Sequence, residues 1–168
     1  LSYSQVIGYQ CTFEDESEHS LWKLNEGNQG ESCVNKWYIG KPGAKDGECG
    51  LFVSSDGLSN SYKNSGVSVV AYRTLHLQPG NYDIIIEWKG AGVNTDGLYV
   101  CWMPDSIVTN SVSSDNLQNF VLNEGYDVGF KFAGSRLCGQ TTWAKSADLI
   151  YSDGTPYKLV FIWNNGVV

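Results

Sequence analysis

The fold is decided by the stretch Tyr82-Asp83-Ile84-Ile85-Ile86-Glu87-Trp88-Lys89. Its aromatic residues and two of its isoleucines share one face, and its charged residues share the other. This alternation predicts a half-buried antiparallel strand. The preceding run, residues 69–77, is rich in β-forming residues and is followed by the turn sequence Gln78-Pro79-Gly80-Asn81. Together the two runs predict a β-hairpin.

Further strands are expected on both sides of this hairpin. The candidates are residues 1–13, 50–54, 98–103, 128–132, 137–143, 147–151 and 157–163. A short helical turn is predicted over residues 116–122. About eight short strands with long, Gly-rich connections predict an all-β fold, an antiparallel β-sandwich of the jelly-roll type.

The N-terminal part is organised around Cys11-Thr12-Phe13-Glu14-Asp15, where the first strand is expected to end. A polar excursion over residues 14–49 follows, and it contains Trp22 and Trp37 in otherwise hydrophilic surroundings. Since large rings are costly to leave in water, we expect both tryptophans to fix this segment against the core.

Composition limits the possible partners. The 168 residues suit one domain, residues 1–168, with a substantial core. A net charge of −7 argues against nucleic acid and anionic membranes as partners. No apolar run approaches the length of a membrane span, so we expect no membrane insertion.

The cysteines limit the possible metal sites and disulfides, and the first residue indicates how the chain was processed. Five cysteines lie far apart without a Cys-x-x-Cys spacing, which disfavours zinc, and their odd number leaves at least one thiol free unless it pairs between chains. The sequence shows no signal peptide and does not begin with Met, so we expect a mature or excised segment.

The acidic run Glu14-Asp15-Glu16-Ser17-Glu18 is the one pattern that resembles a catalytic site. Jelly-roll glycosidases use two carboxylates that flank the sugar bond, but apolar residues alternate with them on the strand. Here the alternating residues are polar, which predicts a solvated loop. Only two histidines are present, and no nucleophile elbow or phosphate loop occurs. We therefore expect no enzymatic activity.

A structural calcium ion is a second interpretation of the acids. Calcium binds six to eight oxygens from carboxylates and loop carbonyls. Glu14 follows a predicted strand and Asp46 precedes one, so the two could meet at one edge of the sandwich. The alternative is that both are ordinary solvated acids.

Two aromatic residues are candidates for ligand binding. Trp143 and Tyr151 lie in weakly patterned segments near polar residues, where an exposed ring could stack on a sugar. The alternative is burial, the commoner fate of tryptophan. Trp102 and Trp163 lie in strands and are expected in the core.

A family resemblance rests on several short motifs. They are Cys11-Thr12-Phe13-Glu14-Asp15, Trp22, Asn35-Lys36-Trp37-Tyr38-Ile39-Gly40, Gly50-Leu51-Phe52, the segment from Tyr72 to Trp88, and Tyr157-Lys158-Leu159-Val160-Phe161-Ile162-Trp163-Asn164-Asn165. With these motifs the sequence resembles MAM domains and, more closely, the cleaved-adhesin modules of bacterial surface proteins. The resemblance implies a jelly roll, concanavalin-like or galactose-binding-like, that is secreted or displayed on a bacterial surface.

The resemblance also implies a function and a metal site. Such modules are non-catalytic and bind other molecules, and their Phe-Glu acid and an Asp before the next strand commonly hold a structural metal. Glu14 and Asp46 match these positions. The related modules continue into one more strand with an Asp-Asn pair, which this sequence lacks, so we expect a domain excised from a larger surface protein without its last strand.

Three functions follow from these observations. The first is an adhesin-like module that binds a glycan or a host or surface protein. The second is a structural spacer of a large surface protein, which would lack an exposed aromatic surface. The third is a carbohydrate-active enzyme, which would show two carboxylates pointing into one cleft.

Overall fold

The computed structural model describes residues 7–26, 33–63, 68–92, 96–109 and 137–165. In this part of the chain 52% of the residues lie in strands and 6% in helices, which confirms the all-β prediction. The helical residues form α1 (Glu16–His19) and a 3-10 helix, η1 (Lys41–Gly43). Neither has the length or the hydrophobicity that a membrane span requires. The strand predicted over residues 128–132 and the helical turn predicted over 116–122 lie outside the described residues.

All strand pairs among the described residues are antiparallel. In chain order the strands are β1 (Trp22–Leu24), β2 (Lys36–Gly40), β3 (Gly50–Ser54), β4 (Ser68–Leu75), β5 (Gly80–Gly90), β6 (Gly97–Pro104), β7 (Gln140–Ser152) and β8 (Tyr157–Asn164). They form a four-stranded central sheet in the order β1-β4-β8-β6, the β2–β3 pair, and the β5–β7 pair, which we call the ribbon.

Two layers of sheet enclose the core. The inner face of the central sheet carries Trp102 and Leu159, which pack with Ile84, Ile86 and Ile150 of the ribbon. The same face carries Val69, Ala71 and Trp163, which pack with residues of the β2–β3 pair. The arrangement is that of an antiparallel sandwich, in which facing sheets bury their apolar sides against each other. Trp102 and Trp163 are buried, as predicted.

The central sheet is apolar on its other face as well. There Val70, Cys101 and Met103 pack with Val160 and Ile162, and both of these β8 residues are 0% exposed. Strand β8 is therefore buried on both sides, which is the environment that a near-continuous apolar sequence favours.

Trp22 and Trp37 hold the N-terminal excursion against the core, as predicted. Both rings are buried and lie against Phe161 of β8, with ring centroids 5.7 Å and 6.4 Å away. The indole Nε1 of Trp37 also donates a hydrogen bond to the carbonyl of Val69 at 2.9 Å. Each tryptophan lies in a short strand, because the adjacent backbone pairs with β4 or β3.

The predicted hairpin between residues 69–77 and 82–89 is wrong. Strand β4 pairs with β1 and β8, whereas β5 pairs with β7, so the turn sequence carries the chain from one layer to the other. The buried Leu77 lies in the core between the layers. The alternation itself is confirmed, with Ile84 and Ile86 facing inward. Alternation specifies which face is buried but not which strand is the neighbour.

Two other strand predictions need correction. Residues 7–13 form no strand; residues 1–6 lie outside the described residues. Phe13 has a φ angle of 66°, in the left-handed region that no strand occupies. The segments 137–143 and 147–151 are not separate strands, because the single strand β7 runs from Gln140 to Ser152 along β5.

Candidate functional site

The outward face of the ribbon carries both aromatic residues predicted to bind a ligand. Because side chains alternate along a strand, the odd-numbered residues of β5 and β7 point away from the central sheet. These are Asn81, Asp83, Ile85, Glu87 and Lys89 on β5, and Trp143, Lys145, Ala147, Leu149 and Tyr151 on β7. Tyr151 is 44% exposed, whereas Trp143 is half-buried.

Trp143 and Tyr151 lie at opposite ends of this face. Eight residues of extended strand separate them, which corresponds to roughly 26 Å at 3.3 Å per residue. One sugar ring cannot contact both. Only a chain of several sugars, or a protein surface, is long enough to reach from one to the other.

The Trp143 end combines an aromatic ring with positive charge. The ammonium group of Lys89 lies over the indole, 5.1 Å from the ring centroid. Lys145 follows two residues later on the same face and is paired across the ribbon with Glu87. A third ammonium group comes from Lys45, in the loop after η1, whose Nζ donates a hydrogen bond to Glu87 Oε1 at 2.9 Å. We call Lys45, Glu87, Lys89, Trp143 and Lys145 the basic end of the ribbon.

One carboxylate is shared by two of these ammonium groups. The hydrogen bond from Lys45 lowers the pKa of Glu87, and the same bond raises the pKa of Lys45. Both groups are therefore charged at neutral pH. The Nζ of Lys145 lies 3.8 Å from Glu87 Oε1, beyond hydrogen-bonding distance. The basic end thus has three positive charges and two nearby negative charges, on Glu87 and on the exposed Asp46, whose carboxylate lies 3.7 Å from Lys45 Nζ.

The Tyr151 end carries exposed aliphatic side chains beside polar ones, since Asn81 and Asp83 lie opposite Tyr151 and Leu149, and we call it the aliphatic end. Ile85 is 51% exposed and Leu149 is 61% exposed, and both lie on the outward face between Trp143 and Tyr151. Exposed apolar groups that adjoin one another, with charged groups at the margin, are typical of a surface that contacts another protein. The outward face therefore offers two chemically different ends.

Glu14, one of the two predicted calcium ligands, lies in a cradle of backbone amides. Its Oε1 accepts hydrogen bonds from the amides of Glu48 and Cys49, at 3.0 Å and 2.9 Å. Gly47 has a φ angle of 84°, and a Cβ atom there would lie 2.5 Å from the same oxygen. The cradle therefore requires glycine and fixes the loop before β3 onto the start of α1.

Asp46, the other predicted ligand, belongs to the same loop and adjoins Gly47. Its side chain is 90% exposed, and its carboxylate lies 3.7 Å from Lys45 Nζ. The structure thus brings the backbone of this loop to Glu14, through the amides of Glu48 and Cys49. In the described residues no three His, Cys, Asp or Glu side chains form a group that could hold a metal. Calcium binding at Glu14 and Asp46 stays a prediction.

The acids of residues 14–18 have separate partners. Asp15 caps α1 by accepting a hydrogen bond from the amide of Ser17 at 2.9 Å, whereas Glu14 binds the amides of the loop before β3. Glu18 turns towards the central sheet and pairs with Arg73. Residues 14–17 are exposed, as predicted, but the run is not loop throughout, because the Asp15 cap stabilises the helical turn α1 that begins at Glu16.

Sequence reasoning missed the Glu18 network. The Nε of Arg73 donates to Glu18 Oε1 at 2.7 Å, and the hydroxyl of Tyr9 donates to the same oxygen at 2.5 Å. The hydrogen bond from Arg73 lowers the pKa of Glu18, and burial raises the pKa of Tyr9. The sequence did contain a signal for this network, because Arg73 shares a face of its strand with the buried residues Ala71 and Leu75. A charge at an inward position needs a partner.

A hollow of about 90 Å³ lies beside this network. Such a volume corresponds to about three water molecules and is well below the volume of ordinary ligand pockets. The lining residues are polar except for Phe13 and Cys11; they are Gln10, Cys11, Thr12, Phe13, Asp15 and Glu18. The network is therefore an anchor for the N-terminal segment rather than a binding site for a sugar or peptide.

No protein-family model, curated protein or solved structure matches this chain.

Proposed function

We propose that this chain is a non-catalytic, extracellular binding module that recognises a glycan through the outward face of the ribbon. The observation that carries this proposal is Trp143 on that face, with Lys89 and Lys145 beside it. The jelly-roll topology and a secreted or bacterial surface location belong to the same proposal. They rest on the motifs that resemble cleaved-adhesin modules.

The chemistry of the face supports a sugar ligand. A sugar ring has an apolar side that packs on an aromatic ring and hydroxyl groups that need polar partners at its edge. Trp143 supplies the ring, and lysine ammonium groups each supply three donors. The face lies on two strands that pair regularly from Gly80 and Ser152 to Trp88 and Ala144, and the register shifts next to Trp143.

The aliphatic end favours a second candidate function, recognition of a protein. Ile85 and Leu149 offer apolar surface that a sugar cannot use well, whereas a protein partner could bury both. The two candidates use different ends of the same face, so single substitutions separate them.

The test is a glycan array combined with binding to surface-protein extracts, with four proteins compared. These are the wild type, Trp143→Ala, Tyr151→Ala and Leu149→Ser. Thermal unfolding of each variant checks that the fold is intact. A glycan function predicts array binding that Trp143→Ala abolishes and Leu149→Ser preserves.

Each result has a defined meaning. Binding to a protein that Leu149→Ser abolishes and Trp143→Ala preserves would replace the glycan by a protein ligand. Wild-type protein that binds no glycan and no protein would contradict a binding module and favour a structural spacer. Shortening of an array glycan by the wild-type protein would contradict the non-catalytic assignment.

A further inference from the structure

We propose that the basic end of the ribbon binds an acidic glycan, one whose sugars carry carboxylate or sulfate groups. This inference rests on the proposed glycan-binding function and names the class of glycan. It is carried by the juxtaposition of Trp143 with the ammonium groups of Lys89, Lys145 and Lys45.

The charge of the basic end is opposite to that of the whole chain. The chain has a net charge of −7, with 11 basic and 18 acidic residues. The described residues include nine of the basic side chains, and three of these nine converge on the basic end. Charges further away are screened over a Debye length of about 8 Å at physiological ionic strength. With the carboxylates of Glu87 and Asp46 included, the three lysines still leave one net positive charge near Trp143.

Positive charge lies over the indole and beside it on the same strand. Lys89 reaches the ring from the neighbouring strand and contacts its face, whereas Lys145 stands two residues along the same strand. Between them, an acidic group could contact an ammonium group while the body of the sugar packs against the ring. A cation over an exposed ring contributes only about 0.5–1 kcal/mol, so Lys89 can exchange this contact for an anion at little cost.

The lysines around Glu87 keep hydrogen-bond donors that an anion could use. Glu87 accepts its hydrogen bond from Lys45, and Lys145 lies 3.8 Å away. Exposed ion pairs of this kind contribute about 0–1 kcal/mol, because water already solvates both charges. The acidic groups of a ligand can therefore take the place of the Glu87 carboxylate as partners of these lysines. A neutral glycan would gain the ring contact and hydrogen bonds from the ammonium groups to its hydroxyl groups, but no attraction between opposite charges, so the basic end should prefer charged to uncharged chains.

The experiment uses two chains that differ only in charge. The acidic probe is an oligogalacturonide of defined length, and the neutral probe is the same oligomer with its carboxyl groups reduced. Binding is measured by calorimetry at 0.05 and 0.3 M NaCl. The variants are Trp143→Ala, Lys145→Ala and Lys145→Arg. Lys23→Ala is the matched control, because it removes one exposed lysine from strand β1 in the central sheet.

We expect the acidic probe to bind the wild type about tenfold or more tightly than the neutral probe, with weaker binding at high salt. Trp143→Ala and Lys145→Ala should each weaken binding of the acidic probe by about tenfold. Lys145→Arg should restore binding because it keeps the charge, and Lys23→Ala should have no effect.

Other outcomes would overturn the inference. Equal affinity for both probes would remove the acidic specificity and leave the glycan function in place. Equal weakening by Lys145→Ala and Lys23→Ala would show general attraction to the protein surface, not a site. Binding of neither probe, with neutral glycans bound on the array, would overturn the inference alone. Binding of neither probe and no array signal would overturn both proposals.

Discussion

The central sheet and the ribbon are both rich in aromatic and β-branched residues, but they bury them differently. Seven of the eight residues of β8 are buried, whereas none of the eleven residues of β5 is. A strand that is buried on both sides has no surface to offer a ligand, and it contributes to stability. A strand that alternates keeps one face for the core and leaves the other for binding. The comparison assigns stability to one region and recognition to the other.

The largest effect should come from a tryptophan of the central sheet. Trp102 is 2% exposed, stacks on Tyr157 with centroids 5.1 Å apart, and donates a hydrogen bond to the carbonyl of Tyr151 at 2.9 Å. We expect Trp102→Ala to lower the free energy of unfolding by about 3–5 kcal/mol, measured by urea denaturation.

Trp143→Ala makes the same chemical change in the ribbon and is the matched control. It removes a half-buried ring with the ammonium group of Lys89 over its face, so the free energy of unfolding should fall by no more than about 1 kcal/mol. If both substitutions destabilise the protein equally, the division between a stabilising sheet and a recognition face is wrong.

The predicted calcium ion concerns the loop that connects these regions. Glu14 holds the backbone of this loop, and Lys45 of the same loop reaches Glu87 on the ribbon. If calcium binds at Glu14 and Asp46, a hundredfold excess over its dissociation constant should stabilise the fold by about 2.7 kcal/mol. Thermal unfolding with calcium and then with a chelator measures this shift.

The variant Glu14→Gln distinguishes two roles of Glu14, that of a calcium ligand and that of an acceptor for backbone amides. The predicted metal site requires that this variant lose the calcium shift, whereas Glu16→Gln, two residues later in the helical turn α1, should keep it. A wild type that does not respond to calcium, or a Glu14→Gln variant that responds fully, would leave the amide cradle as the only role of Glu14.

The sequence predicted single elements better than their connections. Strand β3 matches its predicted residues, and β8 extends only one residue beyond the prediction, because local alternation and apolar runs determine where a strand forms. The pairing of β5 with β7 was missed, since the partners are fifty or more residues apart and no local pattern encodes that distance. The alternation nevertheless placed Asp83, Glu87 and Lys89 correctly on the face away from the core.

The candidate site was predicted only in part. Trp143 and Tyr151 were selected for their polar surroundings, and the structure places them on one outward face. The lysines around Trp143 come from the loop after η1, from β5 and from β7, so only the folded chain brings them together. The same holds for Glu18 and Arg73, which are 55 residues apart in sequence.

A smaller loss of stability is expected from a substitution where the N-terminal segment joins the central sheet. Glu18 is largely buried with Arg73, and removing one partner of such a charged hydrogen bond costs about 1–3 kcal/mol. We expect this loss for Glu18→Gln at pH 7, measured by urea denaturation. Glu16→Gln, on the exposed side of the same turn, should change stability by no more than about 0.5 kcal/mol.

The pH dependence of this contact has a defined sign. The hydrogen bond from Arg73 lowers the pKa of Glu18 in the folded state. The Glu18–Arg73 contact therefore contributes fully to stability above the pKa of Glu18 in the unfolded chain, about 4.3. This contribution is lost as the pH falls through the pKa of Glu18 in the folded state. Wild-type stability should fall more steeply below pH 5 than that of Glu18→Gln. Parallel curves for the two proteins would show that Glu18 does not titrate with folding.

The smallest effect on stability is expected on the outward face of the ribbon, where two neighbouring isoleucines provide the comparison. Ile86 faces the core with Trp102, so Ile86→Ala should cost about 2 kcal/mol, the low end for a partly buried isoleucine. Ile85 faces outward and is 51% exposed, so Ile85→Ala should change stability by no more than about 0.5 kcal/mol. Urea denaturation of both variants measures the difference.

A larger loss for Ile85→Ala would mean that the folded protein covers this face, and a covered face could not bind a ligand. If the difference has the expected sign, Ile85→Ala becomes the substitution of choice for testing protein recognition, because it alters the aliphatic end without weakening the fold.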